Sequence, residues 1–338
     1  MLEPHAPSAF DLFIGVVAAG LVSAGLIVVL RPLLQRYALA RPNARSSHKL
    51  PTPQGAGIAV IAATLLVTVV WQAINGLAFP LTLAGAVLLI AVVGLVDDIR
   101  PIPVVPRLLF QVVAIGIVLI VLPSDLRMIP SVPVAVERGL ILIAALWFVN
   151  LVNFMDGLDL MTVAEIVPVA AALSLLGWLG VLPALPAIVA ATLCGALLGF
   201  SPFNRPVAKV FLGDVGSLPI GLLVGWCLLA LAFQQHLIAV LLLPLYYLAD
   251  ATLTLLRRMA RGEAFWAAHR THYYQRATDN GLAVKQVVGR VFVLNCVLAA
   301  LAIASVALSS PIASGLALVA GAAAVAFVLV RFSTKQSR

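Results

Sequence analysis

The chain is poor in charge. Of its 338 residues only 10% are Asp, Glu, Lys or Arg, where soluble domains carry about 25%. That excludes an ordinary soluble domain, whose surface needs ionic side chains, and a disordered chain, which needs them more. Acids are scarcer than bases, 13 against 21 Lys and Arg, for a net charge of +8. A basic balance can mean a nucleic-acid partner. In a chain that is 63% hydrophobic it first means cytoplasmic loops, so no nucleic-acid partner is expected. Cysteine is scarce too. Cys194, Cys227 and Cys296 each lie in an apolar run with no C-x-x-C spacing, which argues against a disulfide framework or a zinc site. They read as small buried apolar residues. No internal repeat, low-complexity linker or composition shift marks a soluble domain.

What is abundant is the long apolar run. A membrane span needs roughly 20 such residues, and mean hydropathy is +1.13. Eleven runs qualify, at about 10–30, 55–74, 78–96, 107–123, 138–152, 161–181, 183–200, 217–233, 236–256, 288–308 and 311–331. They are continuous, not alternating, so helices are expected and barrel strands are not. The first run is too long for a signal peptide, has no small-residue cleavage site and follows no Lys or Arg, so a retained helix is expected. The expected fold is all-α, a polytopic integral membrane protein of 10–11 transmembrane helices forming one domain over 1–338.

The cations orient it. With the N-terminus outside, 19 of the 21 basic residues fall on inner segments and only Arg127 and Arg138 on outer ones. The positive-inside rule then predicts an outer N-terminus and a cytoplasmic C-terminus. The inner loops are about 31–54, 97–106, 153–160, 201–216 and 257–287.

Five aspartates, Asp97, Asp98, Asp156, Asp159 and Asp214, fall at the inner ends of spans. Acids at membrane depth are costly and point to function. Asp97 and Asp98 end a span where the helix dipole disfavours negative charge. A metal, phosphate-handling or general-base site competes there with a solvated helix end beside Arg100. Asn153, Asp156 and Asp159 share one face if helical, with oxygens suited to a hard cation or to nucleotide hydroxyls; a polar loop with a Gly turn is the plainer alternative. Asp214 lies among glycines ahead of a span, where Ser217 or Asp214 can cap the helix and Pro219 fits its first turn. A helix N-terminus facing the cytoplasm suits phosphate. His269, Arg270, His272 and Arg276, interleaved with Tyr273 and Tyr274, suit phosphate and a stacked base or sugar, or else anionic headgroups. The same two readings stand for the loop at 41–57 with Lys49 and Thr52. For Asp250, inside the ninth run, a helix-packing hydrogen bond is expected. His5 and His236 receive no role.

The segments RSSHKLPTPQGAG at 45–57, VDDI at 96–99, NLVNFMDGLD at 150–159, FLGDVGS at 211–217 and HRTHYYQR at 269–276 together resemble the polyprenyl-phosphate N-acetylhexosamine-1-phosphate transferases. That group includes the phospho-N-acetylmuramoyl-pentapeptide transferases and the WecA-like enzymes. The five stand in the family's order on the predicted inner side, and the resemblance covers roughly residues 10–330. It implies transfer of a sugar 1-phosphate from a UDP-sugar to membrane undecaprenyl (polyprenyl) phosphate, with release of UMP. The site would lie on the cytoplasmic face of a bacterial inner membrane, in contact with membrane lipids. It implies Mg²⁺, with Mn²⁺ as a substitute, and leaves a homodimer open. Asp214 and Asn153 would ligate the metal. Asp97 and Asp98 would serve lipid-phosphate activation or metal handling, and His269 would join them and Asp214 as catalytic. Substrate contacts would fall to Lys49, Thr52, Asn150, Asp156, Asp159, Arg270, His272 and Arg276. Leu160 departs from the family's DGLDGL pattern, and Ala56 interrupts what is often a Gly triplet. HRTH in place of three histidines looks more like the branch that initiates O-antigen or other surface polysaccharide. A secondary transporter using the aspartates as an ion relay is the competing class.

Overall fold

The structure, a computed structural model, describes residues 6–40, 51–78, 80–264 and 269–335. In chain order these form α1 (Ala9–Tyr37), β1 (Leu39–Ala40), β2 (Thr52–Pro53), α2 (Gly57–Ile74), α3 (Leu81–Ile99), α4 (Val104–Ile120), α5 (Val134–Met155), α6 (Met161–Trp178) and α7 (Ala184–Phe200). There follow α8 (Asp214–Phe233), α9 (Leu237–Leu242), α10 (Leu245–Ala260), α11 (Tyr273–Asp279), α12 (Val284–Ala307) and α13 (Pro311–Ser333). The chain is an all-α polytopic membrane protein with one short antiparallel β1–β2 pair. Among the described residues nine helices are long and apolar enough to cross a membrane, and α4 is a shorter apolar helix.

The ninth expected run, 236–256, is broken. It forms α9 and α10, which part at Leu243 and Pro244. Proline offers no N–H to the helix ladder and its ring crowds the preceding turn. A discontinuous helix is tolerated at membrane depth only where other protein groups cover the freed backbone. The break is covered: Leu242, Leu243, Tyr246 and Tyr247 are all buried.

Burial sets the layers. The apolar windows of α7 and α8 are 78% buried, against 22% in α1 and α13, so α7 and α8 form the centre and α1 and α13 the lipid-facing rim. No hydrophobic force separates helix from lipid, so close packing must hold the bundle together. The segment Gly195-Ala-Leu-Leu-Gly199 supplies it: a Cβ at Gly195 would collide with the Val16 carbonyl, and one at Gly199 with the Gly20 carbonyl. A third close approach positions the site. A Cβ at Gly94 on α3 would collide with the Asp214 carbonyl, so α3 and α8 touch backbone to backbone where Asp97, Asp98 and Asp214 lie.

Gly195→Val and Gly199→Val should each separate α1 from α7, a loss of about 1–3 kcal/mol for overpacking. The monodisperse fraction after detergent size exclusion should fall. Gly25→Val, with open space around it, is the matched control and should leave that fraction unchanged.

Candidate active site

The site is built on the end of α3. Both carboxylate oxygens of Asp98 accept main-chain N–H groups of the first turn of α8, from Asp214 at 2.9 Å and from Val215 at 3.1 Å. The first N–H groups of a helix have no partner within it. Asp98 supplies that partner from another helix, and its charge suits the positive end of the dipole. The residue before α8, Gly213, has φ 77°, and a Cβ there would strike the Asp98 carboxylate; only glycine allows the approach. The cap that the sequence offered from Ser217 or Asp214 thus comes from Asp98.

Asp97 does different work. Its Oδ1 accepts the Ile102 N–H at 2.6 Å, and its Oδ2 meets Arg107 Nη1 at 3.0 Å. The same guanidinium nitrogen lies 3.7 Å from Asp214 Oδ2. The cation beside the aspartate pair is therefore Arg107 on α4, not Arg100. Asn153 on α5 closes the group: its Nδ2 donates to Asp214 Oδ1 at 2.7 Å and to Ser217 Oγ at 2.9 Å.

Asp156 and Asp159 do not share a helical face with Asn153. Helix α5 ends at Met155, and Asp156 leaves helical geometry at ψ 46°. The reason is a contact across the fold: Gly157 follows, a Cβ there would strike the Tyr274 hydroxyl, and that hydroxyl donates to the Phe154 carbonyl at 3.0 Å, covering one of the carbonyls that a helix end leaves open. Asp156 accepts from Thr162 Oγ1 at 2.5 Å, and Asp159 from the Ala208 N–H at 3.1 Å. Leu160, where the family pattern has glycine, sits in left-handed geometry at φ 63°, conformational space that glycine fills freely and leucine at a cost of about 1–2 kcal/mol. Its N–H is held by Asn204 Oδ1 at 2.6 Å. Ala56 precedes α2 at φ −59°, where alanine is unstrained.

Two cavities meet at these groups. One, of 760 Å³, is lined by Thr52, Asp98, Asp156, Asp159 and Phe211 among others; the second, of 620 Å³, by Arg107, Trp147, Asn150, Phe154, His269 and His272; Asn153, Asp214 and Gln275 line both. The β1–β2 pair frames the first cavity, because the Phe211 N–H donates to the Pro53 carbonyl at 2.8 Å and the Gln54 amide to the Asp98 carbonyl at 2.5 Å. Asn150 is buried and donates to Gln111 Oε1 at 2.6 Å. Lys49 lies outside the described residues. Arg270 pairs with Asp279 at 3.1 Å, and Arg276 stacks over the Tyr273 ring at 5.7 Å; neither lines either cavity. The sequence reading missed Arg107, Gln275, Asn204 and Phe211. Arg107 was visible only as one more inner-side cation, since a charge count does not say which cation meets which acid.

No cluster of three His, Cys, Asp or Glu side chains gathers as a metal cage among the described residues. Mg²⁺ does not need one, because it takes one or two carboxylates and completes its shell with water and substrate phosphate. Asp214, aimed between both cavities, fits that habit. Asn153 presents its amide nitrogen to Asp214, an orientation inferred from hydrogen bonding in which it steadies the carboxylate.

Burial raises the Asp156 carboxyl to about 7, with the charges of Asp98 and Asp159 adding and the Thr162 hydroxyl opposing. Burial likewise lowers the His269 imidazole to about 4, helped by His272 and Arg258, so His269 is neutral near pH 7. The raised Asp156 value means that the folded chain holds a proton the unfolded chain gives up near 3.8. Its stabilising share is full below about pH 4 and is lost as pH rises to about 7. The thermal midpoint of wild type relative to Asp156→Asn should therefore drop between about pH 5 and about pH 8. A constant difference across that range would show that Asp156 does not titrate there.

Residues 80–232 match the family described as Glycosyl transferase family 4. The chain is 27% identical over 306 residues to a decaprenyl-phosphate N-acetylglucosaminephosphotransferase of Mycobacterium leprae, covering 78% of this chain and 75% of that one. It is 26% identical over 291 residues to a probable undecaprenyl-phosphate N-acetylglucosaminyl 1-phosphate transferase of Bacillus subtilis, covering 81% and 80%. A phospho-N-acetylmuramoyl-pentapeptide-transferase of Symbiobacterium thermophilum is 28% identical over 229 residues, covering 60% and 68%. On these matches the chain is similar to glycosyl transferase family 4 proteins over residues 80–232, and to polyprenyl-phosphate sugar-phosphate transferases over most of its length.

Proposed function

We propose that this chain transfers an N-acetylhexosamine 1-phosphate from a UDP-sugar to undecaprenyl (polyprenyl) phosphate and releases UMP, at the cytoplasmic face of a bacterial inner membrane. The observation that carries the reading is the meeting of two unlike cavities at Asn153 and Asp214. The cavity with Asp156, Asp159 and Phe211 offers carboxylates for hydroxyl groups and a ring for a base. The cavity with Arg107 offers a guanidinium for the lipid phosphate. A third cavity, apolar and 280 Å³, shares Trp147 with the second, and suits the first part of a prenyl chain. The names of the relatives supply the substrate class. The WecA-like branch, and with it the start of a surface polysaccharide or O-antigen, is the context we favour.

An oxygen of the acceptor phosphate attacks the β-phosphorus of the donor. The bond from that phosphorus to the bridging oxygen breaks, and UMP leaves with the bridging oxygen. A phosphate monoester loses its second proton near pH 6, so the attacking oxygen needs no strong base. Asp97 and Asp98 are engaged with Arg107 and α8, and they orient the site; they are not required to deprotonate anything. Arg107 holds the acceptor phosphate in line, and Asn153 keeps the Asp214 carboxylate turned to the junction. Mg²⁺ held by Asp214 would neutralise the diphosphate and ease departure of UMP.

The test supplies purified protein with undecaprenyl phosphate, Mg²⁺ and a panel of UDP-sugars, and measures UMP. Release should occur with at least one UDP-N-acetylhexosamine, N-acetylglucosamine being the first to try, and should require both lipid and metal. Asp214→Asn should cost about 100-fold or more in turnover, as for loss of one charge-stabilising contact, and should raise the Mg²⁺ midpoint. No release with any donor would overturn the transferase reading and favour an ion relay. A near wild-type rate with an unshifted midpoint in Asp214→Asn would move the metal to another carboxylate.

A further inference from the structure

Asp250 is fully buried on α10, within two turns of the break in the ninth span, and takes no part in the chemistry above. Its carboxylate collects five donors. Oδ1 faces His272 Nδ1 at 3.3 Å, the Tyr273 N–H at 2.9 Å and Thr254 Oγ1 at 3.3 Å. Oδ2 accepts the Tyr274 N–H at 3.1 Å and the Tyr246 hydroxyl at 3.2 Å. Tyr246 and Thr254 belong to α10 itself and brace the carboxylate. Every donor from elsewhere comes from three consecutive residues, 272–274. A carboxylate that merely packed helices together would pair with a neighbouring span. This one pairs with the loop that borders the site.

The pairing fixes the chemistry of the ring. An ionised carboxylate only accepts, so Nδ1 of His272 carries the shared proton and Nε2 is the remaining polar atom. His272 lines the same cavity as Arg107, Asn153 and Asp214. Its ring is confined by Tyr274, stacked at 5.7 Å, by His269 at 4.9 Å and by Phe154 at 6.5 Å. The two main-chain bonds hold the start of α11 as well, so ring and backbone are anchored by one group. We propose that Asp250 is a positioning residue for the transfer, holding His272 so that its Nε2 meets a phosphate oxygen at the junction of the cavities. This inference rests on the transferase reading.

Two measurements test it. In protein labelled with ¹⁵N at its five histidines, the His272 signals are those lost in His272→Ala. At about pH 8, above the ordinary imidazole range, wild-type His272 should carry its proton on Nδ1. A proton on Nε2 would overturn the proposal, whether or not the protein turns over. In steady-state assays Asp250→Asn should lower kcat about 10–100-fold, the range for loss of a group that orients a functional histidine, with the donor KM nearly unchanged. In a His272→Ala background the same change should cost less than about 3-fold more, because both act through one ring. Equal multiplicative losses in the two backgrounds would overturn it. Tyr246→Phe, which removes a single donor, repeats the cycle if Asp250→Asn does not fold. Absence of UMP release by wild type would count against the transferase reading alone, since the tautomer is read without turnover.

Discussion

The structure depends on one interaction: the carboxylate of Asp98 bound across the N-terminus of α8. The start of a helix leaves N–H groups that its own turn cannot satisfy. Asp98 satisfies two of them from α3. The approach requires Gly213 without a side chain, and Gly94 without one lets the two backbones touch. Asp214, the first residue of α8, is carried to the meeting point of the two cavities as a consequence. An acid that is costly in a membrane is thus offset by a helix terminus that needs an acceptor.

Around that cap the remaining charges are arranged in pairs. Arg107 balances Asp97 and reaches Asp214; Asn153 ties Asp214 to Ser217; Asp250 on α10 holds the start of α11. The contacts of Asp214 with Arg107 and Asn153 join elements far apart in sequence. The site is therefore assembled from neighbouring ends of α3, α4, α5 and α8, and bordered by His269 and His272. A rigid frame of this kind suits phosphoryl transfer, which asks a protein for positioning and charge stabilisation more than for covalent chemistry.

Much of this could be read from the sequence, for a physical reason. Polar side chains are rare in the apolar runs of this chain, so Asp97, Asp98, Asn153, Asp214 and His272 stand out against their surroundings. The apolar runs follow from length alone. What the sequence hid was pairing and local geometry. Arg107 looked like any inner-side cation until α4 packed against α3. The break at Leu243 and Pro244 lies inside an apolar stretch that gives no hydropathy signal. Asp156 and Asp159 kept a helical spacing after the helix had ended at Met155, because the termination comes from Gly157 meeting Tyr274, a contact across the fold. Leu160 differed from the family pattern visibly, but only its φ of 63° explains why glycine is the usual occupant.

Hydrogen exchange at the first turn of α8 tests the cap most directly. Amide exchange follows local opening, and a cap bond restrains the first turn more than the rest of a helix. In Asp98→Ala the amides of Asp214 and Val215 should exchange at least about 10-fold faster than in wild type, the effect of losing about 1.4 kcal/mol of local stability. The later turns of α8 should be unchanged. Unaltered exchange at those two amides, with the protein still folded, would contradict the cap and with it the placement of Asp214.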